Sequence, residues 1–341
     1  MTSPLRSRRP LTAAAGLVLT AAIALSACGA GGADDAQDTS GAATSSDAGG
    51  QEAAAETWPR TVTVGENEVE VAEEPQRIAV LSSDLASIVL PLTGGDRVVA
   101  APSSLSENDS VAAEMELVEN PLPAGATTDP EQIMATEPDL VLISARHDSE
   151  REAIELLEGF DVTVAAFDGG AWSGTEDVIA QIGVVAELVG ETAAGEEFAG
   201  ELESRRAEAV ARGEDAESPR TLGIWNHSNE QMIASPTLML TGLIREAGGT
   251  PVVDEIEVDG QIPADPEFIT EQAPEVIIVQ VSEDSGQDSF AELIGNPALA
   301  DVPAIADGRV YYVSNDITAS SAGLNLVEGL EEVSQALYDQ A

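Results

Sequence analysis

The segment Pro75-Gln76-Arg77-Ile78-Ala79-Val80-Leu81 runs directly into Ser82-Ser83-Asp84 and then into Leu85-Ala86-Ser87-Ile88-Val89-Leu90-Pro91-Leu92. A short apolar run, a polar step rich in helix-capping residues and an apolar segment of helical length describe a buried strand feeding a helix. Gly94-Gly95-Asp96-Arg97 ends that helix, and Val98-Val99-Ala100 resumes as a strand. The alternation continues with a strand over residues 139–144, a helix over 149–158 and a strand over 162–167. Such alternation builds an α/β layer around a mainly parallel sheet. Ahead of it, Thr61-Val62-Thr63-Val64 and Val69-Glu70-Val71 alternate about Gly65-Glu66-Asn67, the pattern of a small hairpin.

The plan recurs in the second half of the 341-residue chain. Pro219-Arg220-Thr221-Leu222-Gly223-Ile224-Trp225 answers residues 75–81, and Ala247-Gly248-Gly249-Thr250-Pro251-Val252 answers residues 94–99. Glu137-Pro138-Asp139-Leu140-Val141-Leu142-Ile143 is matched by Ala273-Pro274-Glu275-Val276-Ile277-Ile278-Val279. Pairs repeated in one order specify two topologically similar lobes. Between them Val178, Ile179, Ile182, Val185, Ala186 and Val189 fall on one helical face, with Ser173 and Glu176 at capping-box spacing and Gly190 as the stop. A second helix over residues 192–212 carries Phe198, Leu202 and Val210 on its apolar side. The expected fold class is α/β: two similar lobes with mainly parallel central sheets, joined by a single long backbone helix, with a ligand cleft between the lobes. The expected boundaries are 58–173 for the N-terminal lobe, 174–190 for the connecting helix and 191–341 for the C-terminal lobe. A stiff connector restricts closure to small changes of lobe angle.

Composition narrows the function. Against 62 Asp and Glu stand 14 basic residues, all of them Arg, for a net charge of −48. That balance excludes sequence-independent nucleic-acid binding, which needs cations for phosphates. The absence of Lys removes the phosphate-loop signature. Two His and one Cys leave little material for a His-rich or thiolate metal site and none for an intrachain disulfide. Arg6, Arg8 and Arg9 precede an apolar stretch over residues 11–24, too short for a stable membrane span, and Leu25-Ser26-Ala27-Cys28 follows. Residues 1–27 thus read as a secretory signal, and residues 28–57, small and acidic without an aromatic, as a flexible tether.

The chain resembles the helical-backbone substrate-binding lipoproteins of ABC importers for ferric siderophores, haem and cobalamin. The resemblance rests on Trp58-Pro59-Arg60-Thr61-Val62-Thr63, residues 75–81, Gly95-Asp96-Arg97-Val98-Val99-Ala100, residues 137–143, Ala247-Gly248-Gly249, Asn296-Pro297-Ala298-Leu299 and Ala306-Asp307-Gly308-Arg309-Val310-Tyr311. Residues 58–81 look most like the siderophore-binding branch. Leu25-Ser26-Ala27-Cys28 resembles the bacterial lipobox, which implies diacylation of Cys28 and anchoring on the extracytoplasmic face of the cell membrane. The resemblance implies a monomeric solute receptor without cofactor or catalysis, delivering a small-molecule iron chelate to an ABC permease and its ATPase. It also implies an acidic docking residue near the first helix of each lobe. Ser87 and Gly242 stand at those positions, with Asp84 and Glu246 nearby as substitutes.

In open α/β sheets ligands sit beyond the carboxyl ends of strands, and two lobes turn those ends toward one cleft. That rule selects Ser82, Ser83, Arg146, His147, Trp172, Trp225, Asn226 and His227 as the binding set, with Asp84, Asp168, Gln280 and Ser282 beside them. Several readings stay open. In one, His147 and His227 ligate haem iron axially, Trp172 and Trp225 pack on the macrocycle and Arg146 pairs with a propionate. In another, the same groups line a cleft for an intact ferric siderophore whose own oxygens saturate the iron. In a third, each His is a partly exposed loop residue; a cobalamin-binding relative is a further alternative. The few Arg favour a neutral or cationic hydroxamate-type chelate over a trianionic catecholate.

The remaining candidates read as structural. Tyr311 and Tyr312 fall within a strand over residues 309–313 and belong to core or cleft wall rather than to iron. Arg97 sits in a turn before a buried strand, and Glu196, Glu197, Glu201, Glu203 and Glu208 form a solvated helix face partly offset by Arg205 and Arg206. An enzyme is disfavoured: HExxH, GxSxG and CxxC are all missing, and Gly170-Ala171-Trp172-Ser173-Gly174 carries its Ser one place late for a nucleophile elbow.

Overall fold

Two parallel sheets built on the same strand order organise the computed structural model, which describes residues 57–107, 111–123, 125–227, 230–257, 260–282, 286–319 and 322–339. The expected signal, Cys28 and nearly all of the tether lie outside the described residues. The hairpin is β1 (Arg60–Val64) with β2 (Asn67–Val71). The first lobe holds β3 (Ile78–Val80), β4 (Val98–Pro102), β5 (Asn120–Leu122), β6 (Leu140–Ala145) and β7 (Thr163–Asp168). The second holds β8 (Arg220–His227), β9 (Glu230–Ile233), β10 (Thr250–Pro251), β11 (Val276–Val281) and β12 (Val310–Ser314). The first sheet runs β5-β4-β3-β6-β7, all parallel; the second runs β10-β8-β11-β12, also parallel, with β9 antiparallel on β8. The repeated motifs therefore occupy equivalent places, with β3 and β8 beside β6 and β11.

The duplicated proline–acid step has a physical role. The Asp139 carboxylate accepts from the backbone N–H of Gln76 at 2.8 Å and of Arg77 at 3.1 Å, while Glu275 accepts from the N–H of Arg220 at 2.8 Å. In return Arg77 Nε donates to the carbonyl of Glu137 at 2.8 Å, and the Arg220 guanidinium donates to that of Gln272. Each acid thus pins the entry of the neighbouring strand, and each Arg grips the segment that precedes the acid.

Alternation along the strands sorts apolar side chains into cores. Ile78, Val80, Leu140, Leu142, Val276 and Ile278 join Val178, Ile182, Val185 and Val189 of the helix Thr175–Val189 in one core shared by both lobes. Ile277 and Val279 serve the outer face of the second sheet, and Ala79, Val141 and Ile143 that of the first. Opening the lobes widely would expose that shared core, so the lobe angle is stiff.

The backbone helix is anchored at both ends. Its first residue follows Gly174, and Ser173 donates its hydroxyl to Gly170 O at 2.7 Å, so the expected Ser173–Glu176 capping box does not form. The single-turn helix Gly169–Trp172 has already claimed that serine. At the far end Gly190 adopts φ 80°, where a Cβ would lie 2.9 Å from the Trp58 ring. Arg60 Nη1 donates to Glu187 O at 2.8 Å and Arg97 Nη2 to Val189 O at 2.7 Å, placing cations on the negative end of the helix dipole. Arg97 is thus structural, as its turn position predicts. Among the described residues no helix is long and apolar enough to cross a membrane.

Candidate functional site

The carboxyl ends of the first sheet surround a cavity of about 590 Å³. Ser82 and Ser83 reach it from the end of β3, Pro102, Ser103 and Ser104 from β4, and Arg146 and His147 from β6. A second cavity, about 500 Å³, joins Trp172 and Ser173 of the first lobe to Trp225, Leu238, Met239, Gln280 and Asn315 of the second. Arg146 connects the two, its guanidinium 5.3 Å from the centroid of the Trp172 ring.

Beneath Arg146 lies a polar cluster built by the β3 and β6 ends. Asp84, 2% exposed, forms an ion pair with Arg146. Its carboxylate also accepts from the Ser144 hydroxyl and the Leu85 N–H, both at 2.9 Å, and Ser82 Oγ accepts from the Ser144 N–H at 2.7 Å. Burial pushes the Asp84 carboxyl above its usual range, against the opposing pull of the Arg146 charge and these hydrogen bonds. Glu150 accepts from the N–H groups of Arg146 at 2.6 Å and His147 at 2.8 Å, fixing the turn that leads into the helix Asp148–Leu157. Trp172 is buried, and its Nε1 has no hydrogen-bond partner among the described residues.

Residues 78–317 match the sequence profile of the periplasmic binding proteins. The chain belongs to that family. No curated protein matches it by sequence. Among solved structures it is similar to the periplasmic heme-binding protein RhuT from Roseiflexus sp. RS-1, at 23% identity over 78% of this chain and 98% of that one, with a TM-score of 0.60. It is also similar to the heme-binding protein BhuT in complex with two hemes, at 25% identity, 77% and 98% coverage and a TM-score of 0.59. The siderophore-binding protein BauB, bound to ferric iron and two molecules of acinetobactin, gives 18% identity, 82% and 98% coverage and a TM-score of 0.62.

As a periplasmic binding protein the chain is an extracytoplasmic solute receptor of an ABC importer, with a permease as partner and a small molecule as ligand; it is not an enzyme and uses no cofactor. Of the sequence-derived binding set, the structure brings Ser82, Ser83, Arg146 and His147 to the first cavity and Trp172 and Trp225 to the second. Asn226 departs from expectation: its Nδ2 donates to Ser289 Oγ at 3.2 Å, because β8 continues through His227 and alternation turns Asn226 to the opposite face from Trp225. His227 is exposed, lines neither cavity and packs on Trp225 with ring centroids 5.1 Å apart.

Tyr311 packs against the shared core and Tyr312 against the outer core, so neither lines the two cavities. The substitute docking acids are both engaged inside the fold. Asp84 lies under Arg146, and Glu246 accepts from Arg206 Nε at 2.7 Å and from the Thr175 hydroxyl. Ser103, Ser104, Thr127 and the turn Pro236–Thr237 line the cavities without a sequence signal, because topology alone carries them there.

Proposed function

We propose that this periplasmic binding protein is the monomeric, lipid-anchored receptor of an ABC importer that captures an intact ferric siderophore of hydroxamate type and delivers it to the permease. In this reading residues 1–27 are removed, Cys28 carries the lipid and residues 28–57 give reach from the membrane. The observation that carries the ligand class is the division of the cleft. The first cavity presents the hydroxyls of Ser82, Ser83, Ser103, Ser104 and Thr127 beside the Arg146 guanidinium, and the second presents Trp172 and Trp225. A chelate whose iron is already saturated needs hydrogen-bond donors for its outward oxygens and flat apolar faces for its backbone. The place of His227 outside both cavities favours this ligand over a bis-histidine haem.

Isothermal titration of the purified chain with ferrioxamine B and with its iron-free form tests the ligand. Saturable binding of the ferric complex, with iron-free ligand much weaker, supports the reading; no heat with either removes it. Labelled palmitate incorporated by the native chain and lost in Cys28→Ala tests the anchor, and absence of label in the native chain overturns it.

A further inference from the structure

Among the described residues no other charged residue is as deeply buried as Asp84. A carboxylate beneath a cleft wall carries a desolvation cost that an apolar side chain would avoid, so its position calls for a reason beyond packing. Its oxygens are held by Leu85 N–H, the Ser144 hydroxyl and Arg146. Behind it Gly323, at φ 57°, brings backbone so close that a Cβ there would lie 3.1 Å from Asp84 Cα. The carboxylate therefore acts on the cleft through Arg146. The side chain of that Arg keeps 20% of its surface exposed where the two cavities meet. The other ionisable groups lining the first cavity are Glu150 and His147. With the acids Asp84 and Glu150 set against Arg146, the wall carries no surplus of formal positive charge.

We propose that Asp84 is the charge-selecting residue of the cleft: by cancelling Arg146 it makes the site accept ferric chelates of zero or positive charge and turn away polyanionic ones. The inference rests on the siderophore reading above and adds to it the residue that sets the ligand's charge. Asp84 lines the first cavity with only 2% of its surface exposed, so it is a positioning residue that acts mainly through the guanidinium.

The experiment compares dissociation constants for two probes, the cationic ferrioxamine B and the trianionic ferric enterobactin, in four folded proteins. The native chain is expected to prefer the cation. Asp84→Asn removes the carboxylate paired with the guanidinium, makes the wall one unit more positive, and is expected to shift the ratio toward the trianion by about tenfold or more. Arg146→Gln leaves the carboxylate unopposed and is expected to shift the ratio the other way. The double variant is expected to return to nearly the native ratio, with weaker binding of ferrioxamine B. An unchanged ratio in folded Asp84→Asn overturns the inference and leaves the siderophore reading intact. Should Asp84→Asn not fold, the Arg146→Gln ratio decides, and no shift there overturns it. A native chain that binds neither probe overturns the siderophore reading, and the inference with it.

Discussion

The Arg146 guanidinium lies over the Trp172 ring, 5.3 Å from its centroid, where the cavity of one lobe meets the cavity shared with the other. A ligand seated across that junction would meet the guanidinium, whose position the buried ring beneath it supports. Trp172→Phe retains the buried apolar fill and removes the Nε1–H and part of the cation–π attraction. It is expected to weaken ferric chelate binding about 3- to 10-fold by titration calorimetry, with little change in melting temperature. Trp172→Ala, which empties a buried site, is expected to cost about 3–5 kcal/mol in urea unfolding.

The duplicated clamp predicts matched effects in the two lobes. Asp139→Ala and Glu275→Ala each leave strand-entry N–H groups without their carboxylate, and each is expected to lower unfolding free energy by about 1–3 kcal/mol. Glu137 and Ala273, at φ 52° and 43°, both hold a left-handed backbone that glycine adopts without strain. Glu137→Gly and Ala273→Gly are expected to be neutral or to stabilise by up to about 1 kcal/mol, measured by the same denaturation.

Arg206 ties the start of the backbone helix to the second lobe through Thr175 Oγ1 at 3.0 Å and Glu246 Oε1 at 2.7 Å. Both members of the ion pair are largely buried, with side chains 20% and 19% exposed. Arg206→Ala strands the Glu246 carboxylate and is expected to cost about 3 kcal/mol, whereas Glu246→Gln, which keeps an acceptor, costs less. Equal effects of the two substitutions would show that the charge pair is immaterial.

Hydrogen bonds from Arg245 hold the Asp254 carboxyl below its usual range, burial opposing. A carboxyl with a lowered folded pKa contributes stability above its unfolded value and loses it as pH falls through the folded one. The difference in melting temperature between the native chain and Asp254→Asn is therefore expected to be constant above about pH 5 and to shrink below about pH 4. A difference that grows in acid contradicts the pairing.

With 62 acidic residues against 14 basic ones, mutual repulsion opposes the compact state. Raising NaCl from about 0.01 M to about 1 M shortens the screening length from about 30 Å to about 3 Å, so the melting temperature is expected to rise. A fall would place the dominant electrostatic contribution in attractive pairs such as Arg206–Glu246.

The fold was legible because its signals are local and repeated. Apolar runs ending in capping residues mark the strands, and the proline–acid steps at Asp139 and Glu275 recur because the same clamp is needed twice. Ser82, Arg146 and His147 were legible as cavity-lining residues because each follows a strand's carboxyl end. Asn226 misled because β8 runs two residues beyond its apolar stretch, which turns a supposed loop residue into a strand residue facing away. The role of Asp84 was hidden for another reason. It depends on Arg146, which only the pairing of β3 with β6 brings within reach.

In the siderophore reading the cleft holds a chelate whose iron needs no ligand from the protein. Titrating the chain with ferrioxamine B while recording tryptophan fluorescence and the visible charge-transfer band, beside a parallel titration with haemin, tests it most directly. Saturable quenching by ferrioxamine B with its charge-transfer band unshifted, and no low-spin Soret spectrum with haemin, are the expected results. Absence of quenching together with a haemin Soret shift to a low-spin form would contradict it.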